Sequence, residues 1–263
     1  MKTQKATIKK HTIDGSCQLE DSIAIESPLE IRLGHDKEHF QTLAITLCTP
    51  DNIEDLIYGY LLTEGIIAGQ SDVIEINLFD NELGLIVEVI LTKSIAYAKN
   101  LNKHQGMIHA SCGMCGKTEI DDLLMFDYAP LEKNGNKINP KIICSLPEKL
   151  WQSQKSFVQT GGTHASALFD DEGQLICVRE DIGRHNALDK LIGYCLQQNL
   201  LPLSGKIILL SGRVSFELVH KSLIAGVTTL AAIGAPSSLS VEIAKLNELQ
   251  LLGFVKGLGF NRY

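Results

Sequence analysis

The sequence predicts an α/β protein in which a mixed-sheet domain at residues 141–263 follows a smaller α+β domain at 1–98. Three observations predict it. Beyond residue 180, helix-period and strand-like segments alternate. In the first hundred residues, strand-like runs surround a single amphipathic helix. Between them, residues 99–140 include a long stretch with no sustained period of either kind.

In the first domain, SIAIESPLEIRL and LAITLC read as strands. A helix follows from about Asp51 to Glu64. Asp51 with Glu54 fits an N-cap and capping glutamate, Ile53, Leu56, Ile57, Tyr60 and Leu61 form one apolar face, and Gly65 suits the position just past the end. VIEINLF and LIVEVIL around DNELG then read as a hairpin.

NLNKHQGMIHASCGMCG, from Asn100 to Gly116, is a polar, small-residue loop, and a loop this long inside a globular chain is more often functional than idle. Beyond it, Ser145 and Glu148 look like a capping box opening a helix through Phe157. HASALF and QLICVRE flank Asp170-Asp-Glu-Gly as a second hairpin. Leu188, Leu191, Ile192, Cys195 and Leu196 mark a helix, followed in turn by KIILL (strand), SFELVHKSLIA (helix), TTLAAI (strand), SLSVEIAKLNE (helix) and QLLGF (strand).

Composition narrows the function classes. With 44% hydrophobic and 21% charged residues, the chain is an ordinary globular one. Its net charge of −7 argues against a broad nucleic-acid or anionic-membrane footprint. The basic start MKTQKATIKKH lacks an apolar signal core, and no stretch approaches the ~18 apolar residues that a bilayer requires, so a cytoplasmic protein without membrane insertion is expected. The 7 cysteines, odd in number and without a secretory signal, do not look like a disulfide framework. Cys17, Cys48, Cys144, Cys177 and Cys195 are isolated and read as small buried hydrophobes. Only Cys112 and Cys115 form a pair.

That pair has the requirements of a persulfide carrier: a thiolate, room for an added sulfur and a backbone free to move. Gly113 and Gly116 loosen the chain, two thiols permit release through an internal disulfide, and His104, His109 and Lys117 favour thiolate. Zinc would need a fourth ligand that no second CxxC or HxxxH supplies, so no structural metal is expected. A thioredoxin-like dithiol should follow a strand and open a helix, whereas this pair ends a loop. Chemistry alone therefore reaches a reactive cysteine pair on a loop, with two incidental cysteines as the bland alternative.

Three segments after predicted strands carry small residues where phosphate can approach backbone N–H groups at a helix start: Ser211-Gly212-Arg213, Gly234 through Ser238, and Gly253 through Gly259. Glu180-Asp181-Ile182-Gly183-Arg184-His185-Asn186 is dense in functional side chains, although an N-cap with ion pairs, Asp189 facing His185, explains it structurally. Gly161-Gly162-Thr163-His164-Ala165 reads equally as a site or as a plain turn before a strand.

Together with YGYLLTEGII (58–67) and SCGMCG (111–116), the segments TGGTHASAL (160–168), EDIGRHNALDKLIG (180–193), SGRVSFELVHK (211–221), GAPSSLSVEIAK (234–245) and LLGFVKG (251–257) resemble, in order, the signature blocks of the formate dehydrogenase accessory sulfurtransferase (FdhD) family. The resemblance implies a cytidine deaminase-like fold in the larger domain and a homodimer. It also implies transfer of sulfur from a cysteine desulfurase persulfide to molybdenum bis(molybdopterin guanine dinucleotide), bound as substrate, which activates formate dehydrogenase. By motif, Cys112 is the persulfide-bearing position and Cys115 the assisting one. Phe254, Val255, Lys256, Gly257, Leu258 and Gly259 form the cofactor-binding stretch, joined by Arg213, Ser237, Arg184 and His185. Lys256 stands where the family pattern has Arg, keeping the charge but losing a forked contact to phosphate. The deaminase signature H-x-E is not met at His164-Ala165-Ser166, which disfavours deamination. Two other readings stay open: a cofactor chaperone that carries no sulfur, and a CxxC dithiol oxidoreductase.

Overall fold

The computed structural model describes residues 3–92, 128–131 and 139–263. The chain opens with an antiparallel ribbon of β1 (Thr3–Thr12) and β2 (Gly15–Ala24). The run read as one strand, SIAIESPLEIRL, is cut in two. Its first residues end β2, and the rest forms β3 (Ser27–Gly34) in a different sheet.

With β4 (Phe40–Cys48), β5 (Val73–Asn81) and β6 (Gly84–Leu91), β3 builds a four-stranded sheet in the order β4-β3-β6-β5, in which only β3 and β6 run parallel. Period-2 alternation puts Leu29, Ile31, Leu33, Val87 and Val89 on the buried face. The predicted hairpin of β5 and β6 is present.

The helix between β4 and β5, α1 (Ile53–Thr63), buries the expected apolar side chains. Its end matches expectation: Gly65, at φ +68°, donates its N–H to Leu62 O (3.0 Å) and Ile66 donates to Leu61 O (2.9 Å). Its start does not. Asn52 is the N-cap, left-handed at φ 51° and without a side-chain bond. The N-cap thus falls one residue after Asp51, and the first-turn acid Asp55 binds Arg179 (2.6 Å) and Gln197 (2.8 Å) of the second sheet region.

The second region holds α2 (Pro140–Ser153), α3 (Lys155–Thr160), β7 (His164–Phe169), β8 (Leu175–Asp181), α4 (Arg184–Gln197), β9 (Ile207–Leu210), α5 (Phe216–Ile224), β10 (Thr229–Ala232), α6 (Ser238–Leu246), β11 (Gln250–Lys256) and β12 (Gly259–Arg262). Strand order is β12-β11-β10-β9-β7-β8, with β9, β10 and β11 parallel and the other neighbours antiparallel. The fold is mixed α/β. Ile143, Leu146 and Leu150 of α2 pack on one face of this sheet, against Ala167, Phe169, Leu209 and Leu252. The other face shares a core with α4, α5, α6 and the N-terminal sheet.

Two expected boundaries move. The helix expected at Ser145 starts at Pro140, because Asn139 accepts from the Lys141 N–H (3.0 Å) and proline at the first helical position sacrifices no bond. Ser145 is left to donate to Ile142 O. At the other end, β11 continues to Lys256 and returns as β12, so 253–259 is a hairpin and no helix follows it.

Of the isolated cysteines, all free thiols, Cys48, Cys177 and Cys195 are buried as expected, and burial pushes them up to about 12, 11 and 12. Cys17 is exposed on β2 and Cys144 is half-buried. Among the described residues no helix is long and apolar enough to cross a membrane.

The two sheet regions meet where α1 touches α4 backbone to backbone. A Cβ on Gly59 would lie 1.8 Å from Asp189 O, and one on Gly193 1.8 Å from Asp55 O. Beside this contact, fully buried Lys190 pairs with Asp181 (2.6 Å) and donates to Thr49 O (2.9 Å). Asp181 in turn accepts from the N–H groups of Thr49 (3.0 Å) and Gly183 (2.8 Å).

Two stability predictions follow from this seam. Gly59→Ala or Gly193→Ala should lose at least about 2 kcal/mol in urea unfolding, because backbone cannot yield to the methyl; the ~1 kcal/mol that alanine gains in helix propensity does not offset the clash. Equal or greater stability would contradict the close approach. Lys190→Met should lose ~3–5 kcal/mol by leaving a buried carboxylate without its cation, and a loss below about 1 kcal/mol would show the pair to be dispensable.

Candidate functional site

The strand directions bring five chain segments to one edge of the six-stranded sheet. Because β7 runs antiparallel to both β8 and β9, its first residue, His164, lies beside Asp181 at the end of β8. The same edge carries the carboxyl ends of β9, β10 and β11, where ligands of α/β sheets collect.

The connections there are laced by backbone. Ser211 donates its N–H to Ala165 O (2.9 Å), and Ala165 donates to Ser211 Oγ (2.9 Å). Val214 donates to Ala235 O (3.0 Å), Gly234 to Gly212 O (3.1 Å), Ser237 to Val214 O (2.9 Å) and Phe254 to Gly234 O (3.1 Å). A Cβ on Gly234 would meet Gly212 O at 2.7 Å, so the floor of the edge consists of main chain.

Three helix N-termini open onto this floor, and they differ. The first turn of α6 is satisfied by its own N-cap, since Ser237 Oγ accepts from the Ser240 N–H (3.3 Å). The first turn of α5 carries Glu217, a carboxylate that already complements the positive end of its own helix dipole. Only α4 has neither a side-chain cap nor an acid in its first turn. Its first residue, half-buried Arg184, has a buried Nε without a hydrogen-bond partner among the described residues. Burial holds His164 below its usual imidazole value, and the nearby Arg184 and His185 charges lower it further against the opposing effect of Asp181. The start of α4 can therefore receive an anion: a first turn without a side-chain cap, a cation and a neutral imidazole, with no acid in that turn.

His185, the next residue, turns away from that start. Its Nε2 lies 3.1 Å from Glu217 Oε2 and 3.2 Å from Ser215 Oγ, and Ser215 Oγ donates to the same carboxylate oxygen (2.7 Å). Burial alone would raise the Glu217 carboxyl, but the His185 and Ser215 hydrogen bonds outweigh it and bring it down to about 2. The expected partner of His185, Asp189, instead takes Lys221 Nζ (3.0 Å) and Thr63 Oγ1 (2.9 Å). Helix α5 thus fastens several parts at once, because its His220 also pairs with the Tyr128 hydroxyl (2.7 Å).

The sequence-derived site residues divide accordingly. Arg184 sits at the edge, and Arg213 is exposed on the β9–α5 connection. Exposed Phe254, left-handed at φ 53°, and exposed Lys256 end β11, exposed Gly257 and Leu258 make the turn, and Gly259 begins β12. Val255 points into the α2 core, fully buried, and Ser237 spends its hydroxyl on capping. Glu180, read as site-like, accepts from the N–H groups of Ser156 and Phe157 (both 2.8 Å) and so caps α3. Cys112 and Cys115, with His104, His109 and Lys117, lie outside the described residues. Sequence reading passed over Ser215 and Glu217, although Ser-x-Glu at a helix start is a visible signal, and left His164 undecided.

Known proteins resemble this chain over nearly its whole length. The family model described as FdhD/NarQ matches residues 24–263. The chain is 36% identical over 263 residues to a sulfur carrier protein FdhD of Nocardia farcinica, covering 99% of this chain and 92% of that one. It is 39% identical to the protein of that name from Streptomyces coelicolor (92% and 87% covered) and 38% identical to that of Sulfurisphaera tokodaii (93% and 90% covered). A crystal structure of a formate dehydrogenase accessory protein from Desulfotalea psychrophila superposes with a TM-score of 0.75 at 21% identity, covering 100% of this chain and 97% of that one, and shares the fold. A match from residue 24 to the last residue, together with relatives of this identity and coverage, places the chain in the FdhD/NarQ family.

Proposed function

We propose that the chain is a cytoplasmic sulfur carrier in formate dehydrogenase maturation, taking sulfur from a cysteine desulfurase and delivering it to molybdenum bis(molybdopterin guanine dinucleotide) held as substrate at the carboxyl edge. The observation that carries the substrate half is Arg184: a buried guanidinium nitrogen, unpartnered among the described residues, at the one helix start on that edge with neither a side-chain cap nor a first-turn acid suits a nucleotide phosphate. The sulfur half is supported by the SCGMCG motif and by the relatives' shared designation as sulfur carriers. The larger sheet is read as a cytidine deaminase-like domain, with residues 1–98 and 141–263 as the two domains and a homodimer as the assembly.

In the proposed chemistry, the Cys112 thiolate attacks the outer sulfur of the desulfurase persulfide. The new S–S bond leaves Cys112 carrying the persulfide and returns the desulfurase cysteine as thiolate. Attack by the Cys115 thiolate on the inner sulfur then closes a Cys112–Cys115 disulfide and expels the outer sulfur as hydrosulfide, the form that a metal accepts as a ligand. The two electrons come from the two thiols, and a dithiol reductant resets the pair. Arg184, Arg213 and Lys256 hold the nucleotide phosphates, Lys256 through single rather than forked contacts.

Incubation with a cysteine desulfurase and cysteine should add one sulfur atom to Cys112, read by mass spectrometry, and Cys112→Ala should abolish both this gain and formate dehydrogenase activation. A Cys112→Ala chain that still activates the dehydrogenase would leave the chaperone reading instead. Arg184→Ala should weaken GDP binding at least about tenfold, the worth of a charged hydrogen bond, with smaller losses for Arg213→Ala and Lys256→Ala. Unchanged affinity in all three would remove the phosphate assignment.

A further inference from the structure

The His185–Glu217–Ser215 cluster joins the first turn of α4 to the first turn of α5. Ser215 is the N-cap of α5, yet its hydroxyl makes no capping bond and goes to Glu217 instead. Glu217, with its side chain 14% exposed, accepts on one oxygen from both Ser215 and His185, whose side chain is 8% exposed. The clip thus bridges the two loops that bear candidate anion donors: Gly183-Arg184 precedes His185, and Gly212-Arg213 precedes Ser215. His164 lies between these loops, its Nδ1 3.3 Å from where a Cβ on Gly212 would stand.

Charge explains why a carboxylate is tolerated beside an anion site. Arg184, His164, His185 and Arg213 gather at this edge. The other nearby acid, Asp181, is bound to Lys190 and to the N–H groups of Thr49 and Gly183. Glu217 is likewise engaged, through Oε2, by His185 and Ser215.

We propose that Glu217 is a positioning residue: by clamping His185 to Ser215 it fixes the Arg184 and Arg213 loops at the separation that a diphosphate requires. This rests on the nucleotide-binding half of the proposed function. Without the clip the loops keep their backbone lacing to the sheet and Asp189 still joins α4 to Lys221 of α5, but the bond between the first turns of the two helices is lost, so phosphate recognition falls while contacts to the rest of a nucleotide persist.

The test compares GDP with guanosine by titration calorimetry, because the ratio of the two affinities isolates the phosphate contribution. Glu217→Ala should lower that ratio about tenfold with guanosine affinity retained. Glu217→Gln, whose amide oxygen still accepts from His185 or Ser215, should recover part of it. Equal losses for both ligands would show a merely structural role, and a ratio unchanged in both variants would show no role; either result overturns the proposal. Failure of the wild-type chain to bind GDP would instead overturn the nucleotide reading itself, and this inference with it.

Discussion

Backbone contact between α1 and α4 is the constraint on which the rest depends. Gly59 and Gly193 let the two helices approach until main-chain atoms touch, which only side-chain-free positions permit. That approach brings Asp55 to Arg179, Thr63 to Asp189 and Lys221, and Thr49 to Asp181 and Lys190. Each of these links crosses from the N-terminal sheet region to the larger one. Polar groups sunk this deep cost free energy unless every one is engaged, and a separation of the helices by one methyl would disengage several together.

The same seam orients the proposed site. Asp181 ends β8, receives the Thr49 and Gly183 N–H groups, and so sets where α4 begins. From that start, Arg184 reaches the carboxyl edge while His185 turns into the clip with α5. Much of the EDIGRHNALDK block is therefore framework: Glu180 caps α3, Asp181 and Lys190 form the buried pair, Asn186 donates to Leu47 O (2.8 Å), and Asp189 holds Lys221. A dense run of functional residue types here serves mostly to aim one arginine.

Local chemistry was legible in the sequence. Gly65 ended α1 as expected, the apolar face of α4 predicted its burial, and the hairpins of β5–β6 and β7–β8 and the alternation from α4 to β11 followed from period and turn residues. What failed depended on distant partners. Nothing in MKTQKATIKKH announces a strand until β2 is there to pair with it. The return of β11 as β12 competes with a helix start that has the same glycine-rich composition. Asp189 was assigned to His185 because the two are one helical turn apart, whereas buried Lys221 from another helix is the stronger partner. For the site, the arginines were readable as residue types, but not that Ser237 and Val255 are committed to capping and core, nor that Glu217 closes the clip.

The central claim, that the carboxyl edge of the larger sheet holds a guanine nucleotide group within reach of a sulfur-bearing cysteine, is tested most directly by a crystal structure of the chain with GDP. The account predicts the diphosphate at the start of α4, bonded to Arg184 and the main chain beside Gly183, with His164 and the Gly212-Arg213 loop around it. A diphosphate bound on the α2 face or on the N-terminal sheet, with Arg184 Nε still unpartnered, would contradict it.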